Sequence, residues 1–550
     1  MLKQIALLSF LVSCTLFSQN KDIFDENFEF DPDFNDDFLE IENGSMDSFS
    51  DELANNVLGN SDDIFSLRDV ERSERSLSVF SGNEVIARVF HLNVFPQSHF
   101  KLWKIEGSVG VPLRFPIYDN ISGTLAKMRH KGFVDGLRFV TPRNQDFRSF
   151  YDAQRLLRHF ELKSDDTYAL KLSRSNAYTL AQGELMKDMV TDGLYDQDYM
   201  FLSGFLKINK VRFDAVLGPL IKPHIFGFNM RFLPLTSLPL VSFIKEMSVD
   251  LSYVSDFFMP LAPQGQHEGA FVLNEERRLL MRKEGNAQAF SNTLKSSYFP
   301  LAWMSLTPYF SYSHLFLNQL RGHDAPFGEN TYGCGLNLGH QLAFYFSQNK
   351  KDSILYFRTE GRFFSANFQP NYFGDHYLLD RQIYSQHKAQ PISKAQFVGL
   401  DDTDSSWRYG YLVEIAYGLN GIINTKLGFE DGYLLRNHSS QQSLRKFHWI
   451  SALTIHELMS IYVAYQASTI DQMNELFDFD KSRGLLSLRG QVKLLSYLYF
   501  DAWLKHSFGV EDMYKASRLQ EGESKETWLS NAHETRSLNF GLGVEFAMTF

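Results

Sequence analysis

Only two of the 550 residues are cysteine, Cys14 and Cys334, so no disulfide framework holds this fold together. Long apolar runs are also missing. The nearest, Phe232 to Ile244, is broken by Pro234, Thr236, Pro239 and serines, which argues against a helical membrane protein. Catalytic spacings are scarce too. There is no G-x-S-x-G, no H-E-x-x-H, no phosphate loop, no zinc spacing and no dinucleotide fingerprint. His438-Ser439 is only an adjacent pair, and His456-Glu457 lacks a second histidine. The expectation is therefore a protein that is not an enzyme and carries no cofactor or metal.

One charge sign is absent from a long stretch. Between Asp22 and Asp63 there are fifteen Asp or Glu and no Lys or Arg, so residues 21–64, with Lys21, carry −14 of a whole-chain −11. The body that follows is nearly neutral, which argues against nucleic acid as a partner. Within the acidic stretch Phe24, Phe28, Phe30, Phe34 and Phe38 alternate with acids. Self-repulsion and few aliphatic residues predict disorder over residues 19–80. Three roles stay open: a solvated leader, a phenylalanine docking motif, or a calcium loop. Asp31, Asp33, Asn35, Asp37 and Glu42 fall at EF-hand spacings, but Asp36 stands where that loop needs Gly, and Pro32 is out of place. Ahead of this segment, Lys3 and the apolar run Ile5 to Val12, continuing through Leu16 and Phe17, read as a signal peptide over residues 1–18. The competing reading takes Leu11-Val12-Ser13-Cys14 as a lipobox, with Cys14 lipidated.

What is abundant is aromatic. The chain holds 51 Phe and 25 Tyr at a mean hydropathy of −0.25, a combination suited to strands with one face in lipid and the other in water. Period-two alternation recurs along residues 81–550. Tyr332 to Phe346 places Tyr332, Cys334, Leu336, Leu338, Leu342, Phe344 and Phe346 opposite glycines and polar residues, with His340 interrupting. Trp407 to Leu419 alternates up to Asn420-Gly421, a strong hairpin signal, and the alternation resumes at Ile423. Asn209-Lys210 marks another turn. Polar stretches at Pro260 to Asn286, Asn318 to Glu329, Gln369 to Ser405 and Val510 to Glu534 are expected to be long outward loops. From Asn144 to Phe160 the apolar spacing predicts a short amphipathic helix, in a loop or folded into the lumen.

The last strand is the clearest. Leu538, Phe540, Leu542, Val544, Phe546, Met548 and Phe550 share one face, and the chain ends on an aromatic residue. This closing strand resembles that of Gram-negative outer-membrane β-barrels. The resemblance implies an all-β, transmembrane antiparallel barrel in the outer membrane, with Phe546, Met548 and Phe550 read by the barrel assembly machinery and lipid around the wall. The stretch TYALKLSRSNAYTLAQGELM is similar to part of a family of uncharacterised bacterial outer-membrane proteins in which a YTLGHG-like sequence follows a strand. Here Ala181 and Gln182 replace the Gly and His, and the similarity implies no function. About 16 to 20 strands can be counted, and the even number expected is about 16, between 14 and 18.

Mid-strand charges are costly in lipid and should point inward. Arg358, Glu360, Arg362, Arg408, Glu414, Lys426, Glu430, Arg489, Lys493 and Glu545 all oppose apolar faces and are the candidate lumen charges. The function expected first is a porin-like channel for small polar solutes. The alternative is a structural or surface-interaction barrel with its lumen plugged by residues 144–160, and an outer-membrane hydrolase ranks third.

Overall fold

A computed structural model of the chain describes residues 75–549 apart from connecting stretches, the longest being 126–155, 191–199, 236–245, 272–280, 320–329, 435–444 and 511–533. The expected signal peptide, the expected disordered segment as far as residue 74, and Phe550 lie outside the described residues. The first strands are β1 (Arg75–Ile86), β2 (Val89–Leu102) and β3, which runs as Ile105–Gly110 and Leu113–Asp119 around Pro112, whose missing N–H interrupts the ladder. Then come β4 (Leu157–Ser164), β5 (Tyr168–Ser173), β6 (Phe201–Ile208), β7 (Val211–Gly218) and β8 (Ile225–Phe232). Longer strands follow: β9 (Met247–Pro263), β10 (Met281–Ser296, continued by Tyr298–Leu301), β11 (Met304–Gln319), β12 (Asn330–Tyr345) and β13 (Ser353–Ser365). The last seven are β14 (Trp407–Leu419), β15 (Ile423–Leu434), β16 (Lys446–Ile455), β17 (Met459–Ser468), β18 (Arg483–Leu495), β19 (Leu498–Val510) and β20 (Glu534–Thr549).

Each strand pairs antiparallel with the next, and β20 pairs with β1 from Ser76↔Thr549 to Val85↔Phe540, so the sheet closes on itself. Closure leaves no unpaired edge. The barrel thus has twenty strands, not about 16. The undercount has a physical cause. On β7 to β10 the inward residues Val216, Ile225, Val254, Ala287 and Ala289 are apolar and buried, so alternation of polarity fades although alternation of direction persists.

Strand β20 begins at the far end of the barrel and finishes at the end where β1 starts, here the terminal end. Tight connections gather there: Leu102↔Ile105, Ile208↔Val211, Leu419↔Ile423, Ile455↔Met459 and Leu495↔Leu498. Trp103 and Asn209 adopt left-handed φ of 53° and 52° to make two of these turns. Asn420 and Gly421 themselves lie outside the described residues. Most of the longer connections lie at the far end, although residues 233–246 join β8 to β9 at the terminal end and β1 passes into β2 by a short connection at the far end. The expected helix over 144–160 is corrected in part: Leu157–Phe160 opens β4, because its inward and outward sides are set by pairing with β3 and β5, and the rest lies outside the described residues. Two of the expected loops are also corrected. Residues 260–263 and 281–286 are strand, and the part of Gln369 to Ser405 whose side chains are described is buried.

Outward residues are apolar along the wall, while the inward face mixes polar, charged and, on β7 to β10, apolar residues. On β20, Leu538, Phe540, Leu542, Phe546 and Met548 are exposed while Asn539, Glu545 and Ala547 are buried. Aromatic rings gather near both ends of the outer wall. At the terminal end Trp103 is 85% exposed and Trp303 stacks on Phe344 at 5.9 Å; at the far end Phe363 stacks on Trp407 at 4.7 Å and Phe316 meets Tyr332 at 5.0 Å. An apolar belt of this extent around a closed sheet is stable in lipid and not in water.

Candidate functional site: two segments latched inside the barrel

Two far-end connections return into the lumen. The first, between β5 and β6, forms a short hairpin in which Ala177–Tyr178 pairs with Met189–Val190. Its tip turns at Gly183, whose φ of +79° suits a residue without Cβ, and Asp188 N–H caps back onto Thr179 Oγ1 at 2.9 Å. The second, between β13 and β14, covers residues 366–399 and includes two short helices, α1 (Tyr377–Asp380) and α2 (Lys394–Gly399).

The segments bind each other through backbone. Asn371 N–H donates to Glu184 O at 2.8 Å and Phe373 N–H to Leu185 O at 3.0 Å, while Lys187 N–H donates to the Asn371 side-chain oxygen at 2.9 Å. Together with the wall they make one buried apolar cluster. Leu180, Leu185, Met186, Phe368, Tyr372 and Phe373 pack with Val216, Ile225, Val254, Ala287, Ala289 and Leu315. The wall is shaped to receive them. A Cβ on Gly333 would sit 2.3 Å from Asn367 O, and one on Gly335 would sit 2.7 Å from the Phe368 ring.

Charges hold the first segment. Lys187 Nζ lies 2.6 Å from Glu414 Oε1, and Asp188 Oδ2 accepts from Lys426 Nζ at 2.8 Å. Arg358 donates to Gln182 O, and Gln341 Nε2 donates to Gln182 Oε1 at 2.6 Å. The same network runs along the wall. Arg358 pairs with Glu360, which accepts from Tyr309 Oη at 2.5 Å and from Arg362 Nη2 at 2.7 Å, and Arg362 reaches Glu430 at 3.0 Å. A single charge at this depth is strongly disfavoured, and its pairing here is nearly complete.

The second segment is held by Asp256, which is 0% exposed. Its carboxylate accepts from Tyr377 Oη at 2.8 Å and pairs with Arg381 Nε at 3.0 Å, while Arg381 also donates to Phe258 O at 2.6 Å and contacts His224.

Of the ten candidate charges, the structure brings Arg358, Glu360, Arg362, Glu414, Lys426 and Glu430 into this one network. Arg408 is buried, Arg489 lies 3.7 Å from Asp501, Lys493 is half-buried and Glu545 is buried, each elsewhere on the wall. Parity did not reveal Gln182, Glu184, Lys187, Asp188, Asp256 or Arg381. A signal existed for the first four, since QGELMKD mixes apolar, polar and charged residues with neither strand nor loop character. The expected plug at residues 144–160 lies mostly outside the described residues; among the described residues, it is parts of 177–190 and 366–399 that enter the lumen.

Asp188, Glu414 and His448 bring ligand atoms within 4.8 Å of one another. That geometry could hold a metal ion, but Lys187 and Lys426 already place ammonium groups against those carboxylates. The cation positions are filled by the chain itself.

Glu184, on the first segment, is 2% exposed, with Thr293 Oγ1 at 3.4 Å from its carboxylate. Burial, and then the nearby Glu360 charge, push its carboxyl up to about 7. The sign follows from linkage. Below about pH 4.5 the carboxyl is protonated whether the segment is in or out, so it contributes nothing; as pH rises through about 7 the inserted state loses about 3 kcal/mol relative to the released state. Trypsin cleavage within the segment of the purified protein should therefore accelerate between pH 5 and pH 8. Glu184→Gln should abolish that dependence, and an unchanged pH profile in the variant would refute it.

No family model matches this chain, and no curated protein does. Solved structures align with it only distantly. CdiB from Acinetobacter baumannii aligns at 7% identity over 87% of this chain and 60% of its own, with a TM-score of 0.27, so this chain spans less than two thirds of that protein. The ferripyoverdine receptor of the outer membrane of Pseudomonas aeruginosa aligns at 6% identity over 87% and 72%, with a TM-score of 0.33. An outer membrane channel from Pseudomonas putida F1 aligns at 10% identity over 57% and 98%, with a TM-score of 0.24.

Proposed function

We propose that this chain is an outer-membrane transport barrel whose passage is closed by residues 177–190 and 366–399 and opens when they shift. The outer face, apolar between two aromatic rims, supports a place in lipid. The signal peptide and the closing strand, with Phe546, Met548 and Phe550, fit export and assembly by the machinery that reads such strands. The observation that carries the gated reading is the Lys187–Glu414 pair, a buried ionic contact between an inserted segment and the strand wall. A permanent plug needs only apolar packing. A charged latch adds a contact that can be exchanged for water when the segment leaves.

Porin-like passage of small polar solutes is the second reading. It is favoured by the half-exposed Arg212 and Asp214 side chains on the inner wall of β7, which keep contact with solvent. Planar-bilayer recording separates the two. The gated reading expects low conductance from the native protein and a large rise on Lys187→Ala, with Lys187→Arg restoring closure. Large steady conductance from the native protein, unaffected by Lys187→Ala, would leave the porin reading standing instead.

A further inference from the structure

At the terminal end the inner wall of β2 to β10 is basic. Lys101, Lys163 and Lys207 are exposed there and Arg212 is half-exposed, all on the inward parity. Arg231 and Lys295 share the one carboxylate of Asp250, at 3.0 Å each. The turns add Lys104 and Lys210. Acids on the same rim compensate in part. Glu106 faces Lys101 in register, Asp214 accepts from Arg212 Nε at 2.9 Å, and Glu161 and Glu246 lie on the same rim. A positive balance remains.

The described chain begins at this same rim. Arg75 pairs with Phe100, next to Lys101, and Ser76 pairs with Thr549. The chain therefore reaches β1 from the terminal side, and residues 21–64 with their −14 precede it in the sequence. The lengths agree. The residues between Asp63 and Arg75 can span on the order of 40 Å when extended, and twenty strands spaced ~4.8 Å and tilted ~40° enclose a ring on the order of 40 Å across. The acids can reach any point of the mouth.

We propose that residues 21–64 dock across the terminal mouth of their own barrel, held by Lys101, Lys163, Lys207 and Arg212. The attraction is between a dense acidic segment and a wall with excess cations, and tethering multiplies it through a high effective concentration. The interaction is electrostatic, so salt weakens it. It is independent of whether the inserted segments gate the lumen.

Photo-crosslinking in the full-length protein tests this. A photoreactive phenylalanine analogue at Phe34, and separately at Phe38, should yield intramolecular cross-links to peptides spanning residues 101–104, 163–171 or 207–212, mapped by mass spectrometry. The yield should fall roughly tenfold at 0.5 M NaCl. It should fall similarly when Lys101, Lys163, Lys207 and Arg212 are all replaced by Glu, with heat-modifiable gel migration confirming that the barrel is folded. Cross-links between two copies, cross-links confined to far-end connections, or a salt-independent yield would each overturn the proposal. None of these readouts uses conductance, so failure here and failure of the gated reading remain distinguishable.

Discussion

Replacing Asp256 by Ala should release the second inserted segment. The substitution leaves the Arg381 guanidinium and the Tyr377 hydroxyl facing a site with no anion, in surroundings where Asp256 itself is fully buried. Removing one partner of a buried pair costs about 3–5 kcal/mol, mostly from the charge left behind. That is comparable with what docking residues 366–399 onto the wall can supply, so the docked state becomes a minority. Trypsin reports this directly, because Arg381 and Lys394 are buried and should resist cleavage in the native protein. In Asp256→Ala both should be cut rapidly while the barrel stays heat-modifiable on gels. Asp256→Asn, which keeps the hydrogen-bond acceptor and loses the charge, should lie between the two. Equal resistance of Asp256→Ala and the native chain would show that the carboxylate does not hold the segment.

Gly333→Val should have an effect of similar size from the other side of the contact. In a strand interior valine is normally preferred to glycine, so on an empty wall the change would stabilise. Here the new Cβ would meet backbone atoms of Asn367 and Phe368 at 2.3–2.6 Å, and backbone gives way only by moving as a unit. Overpacking of this kind costs about 1–3 kcal/mol, and displacing the segment is the cheapest relief. The expected result is increased trypsin cleavage and higher bilayer conductance. Gly361 provides the control. It sits on the outward parity of β13 with nothing nearer to an added Cβ than Leu338 O at 3.9 Å, so Gly361→Val should change neither readout. If the two variants behave alike, the close approach at Gly333 is not what seats the segment.

The glycines of β12 show where sequence reading stops. Gly333, Gly335 and Gly339 were visible as the small residues of an alternating strand, and their inward direction follows from period two alone. Their smallness reads equally as a lining for water or as room for another segment. The structure decides for the second at Gly333 and Gly335, where residues 367 and 368 press against the wall, while Gly339 accommodates the Tyr309 ring. The charges behave in the same way. Arg358, Glu360 and Arg362 point inward by parity, yet their partners Tyr309, Glu430 and Glu414 lie tens of residues away and are met only when β11 to β15 pair side by side. Residues 177–190 and 366–399 gave no periodic signal, because an inserted segment is packed on several sides and answers to no single face.

By itself the sequence determined which side of each clear strand meets lipid, that charge belongs inside, and that the last strand is a barrel strand, since all of these depend on local alternation and on the cost of charge in hydrocarbon. Only the tertiary structure decided the number of strands and the closure of β20 on β1. It also decided the occupation of the lumen by two segments and their ionic attachment to the wall. Those depend on contacts between residues far apart in the chain, where hydrophobic inward positions mask the alternation and a charge declares its partner only once the sheet has closed.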